Sequence, residues 1–268
     1  MSTFLIIGGT GKVGSRLTQL LRRDGHTARV ASRTGGDVRF DWRDPATWRS
    51  ALEGADGMFL VGPGSASDWS AILTDLLVLA AELGVRHAVF LSARGVEFLP
   101  DGTVARAERA LTGGPVPWTI LRPSHFAQNF TEAMFVPVDG VVRAPVADGA
   151  EPFIDATDIA EVAAAVLSSS KWKSEILKLS GPVALTFDEA VGILGPTAGQ
   201  SNRFESEDAD VHAAGLRAAG TPEGYVEWRM AMLGGIRRGE DAYVSDGVER
   251  VLGRPATSFE YWARREVR

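Results

Sequence analysis

The chain has 268 residues, 45% of them apolar, with a formal net charge of −6 and no cysteine. That is enough apolar mass for one large domain or a domain with an appended lobe, while the negative charge argues against a nucleic-acid face. Disulfides, thiol nucleophiles and thiolate metal sites are excluded, and the lack of a signal peptide or membrane-length apolar run leads us to expect a cytoplasmic protein without a membrane partner.

Taken in order, Phe4 to Ile7 is a short all-apolar run suited to a buried parallel strand. Gly8, Gly11 and Gly14 come next, and then an amphipathic helix with Val13, Leu17, Leu20 and Leu21 on one face. Gly25-His26 ends that helix. Thr27 to Ala31 reads as a second strand, closed by Ser32-Arg33, and Val38 to Phe40 as a third that runs into Asp41. Asp44 caps the next helix, with Pro45 at its first position. Gly57 to Val61 is a fourth strand, stopped by Gly62-Pro63-Gly64. A helix carrying Ile72, Leu76, Leu79, Ala80 and Leu83 ends at Gly84, succeeded by a fifth strand from His87 to Leu91. A helix over Thr103 to Leu111 leads to a sixth strand, Trp118 to Leu121. This alternation specifies a parallel sheet covered on both faces: a Rossmann-type, doubly wound α/β fold.

Beyond residue 121 the rhythm changes. Asp158-Ile159-Ala160-Glu161 has a capping-box pattern that opens a helix, and Leu177 to Leu179 is one more strand. The remainder, from Thr186, reads as a small, mostly helical C-terminal lobe. The expected division is a dinucleotide-binding domain over 1–130, with the remaining sheet elements and the lobe over 131–268, packed with the first as one structural unit.

The glycine spacing carries chemistry. Gly8 permits a tight turn, Gly11 lets the backbone approach a pyrophosphate, and Gly14 lets helix and strand pack closely. The phosphate charge is then met by free N–H groups at the helix N-terminus, with Thr10, Lys12 and Val13 in the same turn. No Asp or Glu occurs between Asp24 and Asp37, where a chain that binds NAD usually offers an acid to the ribose 2′-OH. Arg33 stands there instead, and a guanidinium grips a 2′-phosphate through forked, charge-assisted hydrogen bonds. NADP(H) is therefore the expected cofactor, with Lys12 as a second positive charge and Asp41 as the candidate for the adenine amino group.

Four ordered segments then resemble the NmrA-like group of atypical short-chain dehydrogenase/reductases. They are Gly8 to Gly14; Thr119-Ile120-Leu121-Arg122-Pro123 continuing to Asn129-Phe130; Pro152-Phe153-Ile154-Asp155 continuing to Asp158-Ile159-Ala160; and Leu179-Ser180-Gly181-Pro182 with Leu185-Thr186-Phe187-Asp188-Glu189. The resemblance implies a Rossmann-type sheet and NADP(H). It maps Gly62 and Pro63 to the adenosine side of the cofactor, and Ser92, Ala93, Pro123, Ser124 and His125 to the surroundings of the nicotinamide.

One feature of most short-chain dehydrogenases is missing. There is no tyrosine before Tyr225 and no lysine between Lys12 and Lys171, so no Tyr-x-x-x-Lys pair exists, and Val104 lies four residues before Glu108. A hydride can still pass to an acceptor that spreads charge, because the cofactor carries the chemistry and the protein supplies orientation. His125 is the candidate titratable group beside the nicotinamide. Ser92 is a second catalytic candidate, although a strand-end hydrogen bond suits it better than a nucleophile's role. Arg94 and Arg106 read as solvated surface groups that could alternatively hold an anionic substrate, and the Asn129 amide as a tie for its own loop. The segment with Trp228, Met230, Met232 and Leu233 reads as core packing, with a flat apolar substrate pocket as the sharper alternative. The expected function is NADPH-dependent hydride transfer to a conjugated, electron-poor acceptor (quinone, iminium or enone), hence a small aromatic or conjugated substrate. The alternatives are a non-catalytic NADP-binding redox sensor and a non-redox isomerase or cyclase.

Overall fold

The structure is a computed structural model that describes residues 1–64, 67–198 and 202–267. In chain order its first ten elements are β1 (Thr3–Ile7), α1 (Lys12–Arg23), β2 (Thr27–Ser32), β3 (Val38–Arg39), α2 (Trp48–Leu52), β4 (Gly57–Leu60), α3 (Ser70–Glu82), β5 (Ala88–Leu91), α4 (Thr103–Thr112) and β6 (Trp118–Pro123). After these come α5 (Asn129–Glu132), β7 (Val141–Ala144), β8 (Ala150–Glu151), α6 (Ala156–Leu167), β9 (Glu175–Leu179), β10 (Leu185–Thr186), α7 (Phe187–Ala198), β11 (Arg203–Ser206), α8 (Ala209–Ala218), α9 (Glu223–Arg237), α10 (Gly247–Leu252) and α11 (Phe259–Glu266).

Seven strands form one sheet in the order β3-β2-β1-β4-β5-β6-β9. The pairs β1–β2, β1–β4, β2–β3, β4–β5 and β5–β6 are all parallel. The chain therefore winds outward from β1 to β3, then restarts on the other side at β4. That reversal is where an open α/β sheet leaves a crevice at the carboxyl ends of its strands. The all-apolar character of β4 reflects its place in the sheet: Gly57, Met58, Phe59 and Leu60 are all buried.

Two compact units are present. The first comprises residues 1–93, 101–122 and 159–177. Its core includes Leu5, Ile7, Leu52, Leu60, Leu73, Leu76 and Phe90. Asp44 caps as its sequence predicts, its carboxylate accepting the Ala46 N–H. The element it caps is a single 3-10 turn over Pro45–Thr47, and the α-helix α2 begins only at Trp48.

The second unit comprises residues 94–100, 123–158 and 178–268. It holds helices and two small sheets, an antiparallel β8–β10 pair and a parallel β7–β11 pair. These strands have two to four residues each, too short to carry a periodic signal, so the sequence pattern does not reveal β7, β8, β10 or β11. The core is aromatic: Phe130 lies 5.0 Å from Phe153, 5.3 Å from Phe135 and 5.4 Å from Phe259. Trp228 and Met232 press on Gly95, where a Cβ would sit 2.5 Å from Met232 Cγ. Two members of the Trp228–Leu233 segment are thus packing groups.

The capping-box reading of Asp158 is corrected. Helix α6 starts at Ala156, and Asp155 accepts the Thr157 N–H at 2.9 Å. Asp158 sits further in and is fully buried. It accepts from the Thr257 N–H at 2.6 Å, Thr257 Oγ1 at 3.0 Å and Arg254 Nη2 at 2.7 Å. A long-range polar cluster has taken the residue that local pattern assigned to a cap.

Candidate functional site

At the carboxyl ends of β1 to β4 the first unit opens a cleft of about 440 Å³. Gly8, Thr10, Arg33, Asp41, Gly62 and Pro63 line it, all anticipated from sequence; Arg43 joins them, which sequence reasoning missed. Its signal was weak, because Arg43 lies in the turn beyond the short β3. The turn is held by Asp41, whose Oδ1 accepts the Arg43 N–H at 2.9 Å, and by the Trp48 indole N–H bonding the Asp41 carbonyl at 2.8 Å. Neither guanidinium, of Arg33 or Arg43, has a partner among the described residues, and both side chains are exposed. Asp37, the first acid after β2, is turned to other work: it accepts the Val30 N–H at 2.8 Å and pairs with Arg22 at 2.6 Å.

The glycines divide by role. Gly8 has φ +81°, a left-handed conformation, and a Cβ there would lie 2.8 Å from Val61 Cβ. At Gly14 a Cβ would fall 2.2 Å from the Gly8 carbonyl oxygen, so the packing of α1 on the turn forbids any side chain. Gly11 is different: only the Gly8 oxygen, at 3.3 Å, approaches its Cβ position. The space beside it is open. Gly11 is also the N-cap of α1, with no side-chain cap and no acid in the first turn. The helix thus presents bare N–H groups and a positive dipole end, which suit a pyrophosphate. Lys12 and Val13 open the helix; the Val13 side chain is buried, so only its N–H is available to a ligand. Behind the cleft, Trp69 packs so closely on Gly62 that a Cβ there would be 2.4 Å from the indole. These residues fit a dinucleotide.

Ser92 follows directly on β5, beside half-buried Ala93. Its hydroxyl donates to Glu108 Oε1 at 2.5 Å, and Arg122 Nε donates to the same oxygen at 3.0 Å. Ser92 and Glu108 are both buried. A hydroxyl donating to a carboxylate already paired with arginine is a fixed strand-end bond. Glu108 and Arg122 were not anticipated as its partners.

In the second unit, Pro123 leads into Ser124, whose N–H donates to the Leu179 carbonyl at 2.9 Å and whose hydroxyl donates to that of Pro152 at 2.6 Å. His125 is 5% exposed. Its N–H donates to Glu151 Oε1 at 2.8 Å, and its Nδ1 lies 3.2 Å from the same oxygen. Burial pulls its pKa down to about 4, so the ring is neutral at neutral pH. Arg94 is not the surface group its sequence suggests. It is 1% exposed, pairs with Asp241 Oδ1 at 3.1 Å and stacks over the Tyr243 ring at 4.0 Å. Arg106 stays at the surface on Asp68. In the 126–130 loop it is the Gln128 amide that forms a tie, donating to Asp155 at 2.8 Å and accepting the Ala156 N–H at 3.0 Å.

A family model for NAD(P)H-binding proteins matches residues 8–170, more than half of the chain. The chain belongs to this NAD(P)H-binding family. Within it, the NmrA-like, atypical short-chain resemblance of the four motifs holds, and the protein is an NAD(P)H-dependent oxidoreductase of that type. It is 32% identical to the uncharacterized oxidoreductase YesF of Bacillus subtilis, over 97% of this chain and 93% of the relative. It is also 32% identical to the (4-alkanoyl-5-oxo-2,5-dihydrofuran-3-yl)methyl phosphate reductase of Streptomyces griseus, over 97% and 96%. Among solved structures, the NADPH complex of a quinone oxidoreductase from Escherichia coli superposes with a TM-score of 0.81 at 20% identity, covering 98% of this chain and 99% of that one, a likeness of fold. No helix of the described residues is long and apolar enough to cross a membrane.

Proposed function

We propose that this family member transfers a hydride from NADPH to a conjugated, electron-poor acceptor of the quinone, iminium or enone type. The observation that carries the cofactor choice is a pair of guanidinium groups, Arg33 and Arg43, without partners among the described residues, at the cleft where a 2′-phosphate would lie. Reduced nicotinamide supplies the hydride. The chain's own residues bind and orient: Gly11 and the α1 N-terminus meet the pyrophosphate, Thr10 and Lys12 flank it, and Gly62 and Pro63 bound the adenosine side. Asp41 holds the turn that aims Arg43. Ser92 and Ala93, at the end of the first unit's fifth strand, border the nicotinamide, with Ser92 held in place by Glu108.

The acceptor class follows from a group that the sequence lacks. With no Tyr-x-x-x-Lys pair in the sequence, a simple ketone has no phenol to stabilise its developing alkoxide. A conjugated acceptor delocalises that charge over its own framework. The two relatives named for their substrates agree in kind, one a reductase of an oxo-dihydrofuran and the other a quinone oxidoreductase. The test is NADPH oxidation with a quinone and a simple ketone in parallel. We expect the quinone to be preferred by about 10²–10³-fold, the size of effect that one missing oxyanion donor produces. Equal turnover of the ketone contradicts the acceptor class, and cofactor binding without turnover of any acceptor favours a redox-sensing regulator.

A further inference from the structure

At the carboxyl ends of β5 and β6 the first unit gathers a serine, a carboxylate and a guanidinium that hold one another. Ser92 follows β5, Glu108 lies on α4, and Arg122 is in β6. The Ser92 N–H donates to the Leu121 carbonyl at 2.9 Å, which continues the β5–β6 ladder past its last pair, Leu91 with Leu121. Arg122 Nε donates to Glu108 Oε1 at 3.0 Å and Nη2 donates to Oε2 at 2.5 Å, a two-point fork. The Ser92 hydroxyl donates to Oε1 at 2.5 Å. The two arginines of α4 are engaged elsewhere, Arg106 with Asp68 and Arg109 with Asp101. Among the described residues, Arg122 is the cation paired with the Glu108 carboxylate.

A carboxylate forked by a guanidinium only accepts hydrogen bonds, and a serine hydroxyl has a single proton to give. That proton is committed to Glu108. Ser92 Oγ is left with lone pairs, so it can accept a further hydrogen bond and cannot donate one. Its place in the sheet gives this a consequence. Strands β4 and β5 pair in parallel with Leu60 opposite Phe90. Carried two residues on, that register sets Ser92 level with Gly62, which lines the cleft. Neighbouring strands are about 4.8 Å apart, so Ser92 stands one strand beyond the part of the cleft that Gly62 and Pro63 bound. It keeps 7% exposure, between half-buried Leu91 and Ala93. A dinucleotide laid across the point where strand order reverses has its adenosine half over β1 to β3 and its other half over β4 and β5. The donor that a nicotinamide brings to this place is the NH₂ of its carboxamide.

We propose that Ser92, held as an acceptor by Glu108 and Arg122, takes a hydrogen bond from the nicotinamide carboxamide and so selects that group and orients the ring. The proposal rests on the cofactor and hydride-transfer reading above. Ser92 touches the cofactor; Glu108 and Arg122 are positioning residues that act through it. The same orientation leaves the Ser92 hydroxyl with no outward proton for a developing alkoxide, in keeping with an acceptor that delocalises its own charge.

The test compares NADP⁺ with its 3-acetylpyridine analogue, which has a methyl group in place of the carboxamide NH₂ and keeps the carbonyl. Dissociation constants are measured by calorimetry on the full-length protein, so the different reduction potentials of the two nucleotides do not enter. Wild type should bind NADP⁺ about 5- to 10-fold more tightly than the analogue, the size of one net hydrogen bond. In Ser92→Ala the two should bind alike, through weaker binding of NADP⁺ and not of the analogue. In Glu108→Gln the amide keeps its oxygen for Arg122 and turns its NH₂ to Ser92. The hydroxyl proton then swings outward, and the preference should be lost. A merely structural role for Glu108 would weaken both nucleotides together and leave the ratio in place. Wild type that binds the analogue as tightly as NADP⁺ overturns the proposal, as does either variant with the wild-type ratio. If one variant does not fold, the other and the wild-type ratio decide. A protein that binds neither nucleotide sinks the cofactor reading and this proposal together. The expected ratios without NADPH oxidation by any acceptor sink hydride transfer and leave the role of Ser92 standing, whereas turnover without discrimination between the nucleotides sinks that role alone.

Discussion

Arg33 and Arg43 reach the cleft from beyond neighbouring strands, β2 and β3, and on the proposed reading their lack of partners among the described residues suits them to a phosphate. A guanidinium tied to a carboxylate would have to lose that partner before meeting a phosphate. Here the nearest acid after β2, Asp37, is already paired with Arg22. Arg33→Ala should weaken NADPH binding by about 1.5–3 kcal/mol, the range for hydrogen bonds to charged groups, and leave NADH binding nearly unchanged. Arg43→Ala should act in the same sense. Titrating both cofactors against each variant checks this, and an equal loss for NADH would remove the 2′-phosphate assignment. Arg33 was legible because a strand end has a recognisable place in the motif. Arg43 was not, because its direction depends on the Asp41 side chain closing a turn over it.

At the scale of elements, the glycine turn and α1 show how one motif serves both folding and binding. Gly14 is needed by the fold, since a Cβ would overlap the Gly8 carbonyl, whereas Gly11 faces open space. Gly14→Ala should therefore destabilise the protein, read by urea unfolding. Gly11→Val should fold with near-normal stability and fail to bind NADPH, read by a cofactor titration; normal binding would place the phosphates elsewhere. In helix α6 the start was predictable to within a few residues, but the choice between Asp155 and Asp158 as cap was not. Asp158 is consumed by Thr257 and Arg254, about a hundred residues away in sequence. Asp158→Asn should cost about 1.5–3 kcal/mol, more than the ~1 kcal/mol typical of a lost cap.

For the whole molecule, buried ionisable groups set the pH dependence of stability. Asp241, pushed up to about 8 by burial and then by the neighbouring Glu151, keeps a proton in the fold that it loses near 3.8 in the unfolded chain. The folded state thus binds the extra proton between those values, and stability from this source falls as pH rises through the window. His125 and His87 act in the opposite sense. Burial holds both at about 4 against 6.5 when unfolded, so the unfolded chain binds the extra protons and stability rises from pH 4 to 6.5. Two rising contributions outweigh one falling contribution below pH 6.5; above it only the fall remains. Thermal unfolding should give a maximal Tm near pH 6.5, with a decline toward pH 8 that Asp241→Asn removes. A Tm still climbing from pH 6.5 to 8 in wild type would contradict this account.

The Rossmann-type sheet, the glycine turn and the cofactor class are legible in the order of residues alone, because each is written in local chemistry. Apolar runs make buried strands, glycine spacing makes the turn, and a basic rather than acidic residue ends β2. The position of His125 is marked too, by the motif that carries it. Its partners are not. Arg94, Glu151 and Asp241 come from three separate segments, and none carries a motif that announces the others. Their charges are ordinary in water. They become a buried cluster with His125 only because folding removes the solvent from all four at once, and no periodicity or spacing records that event.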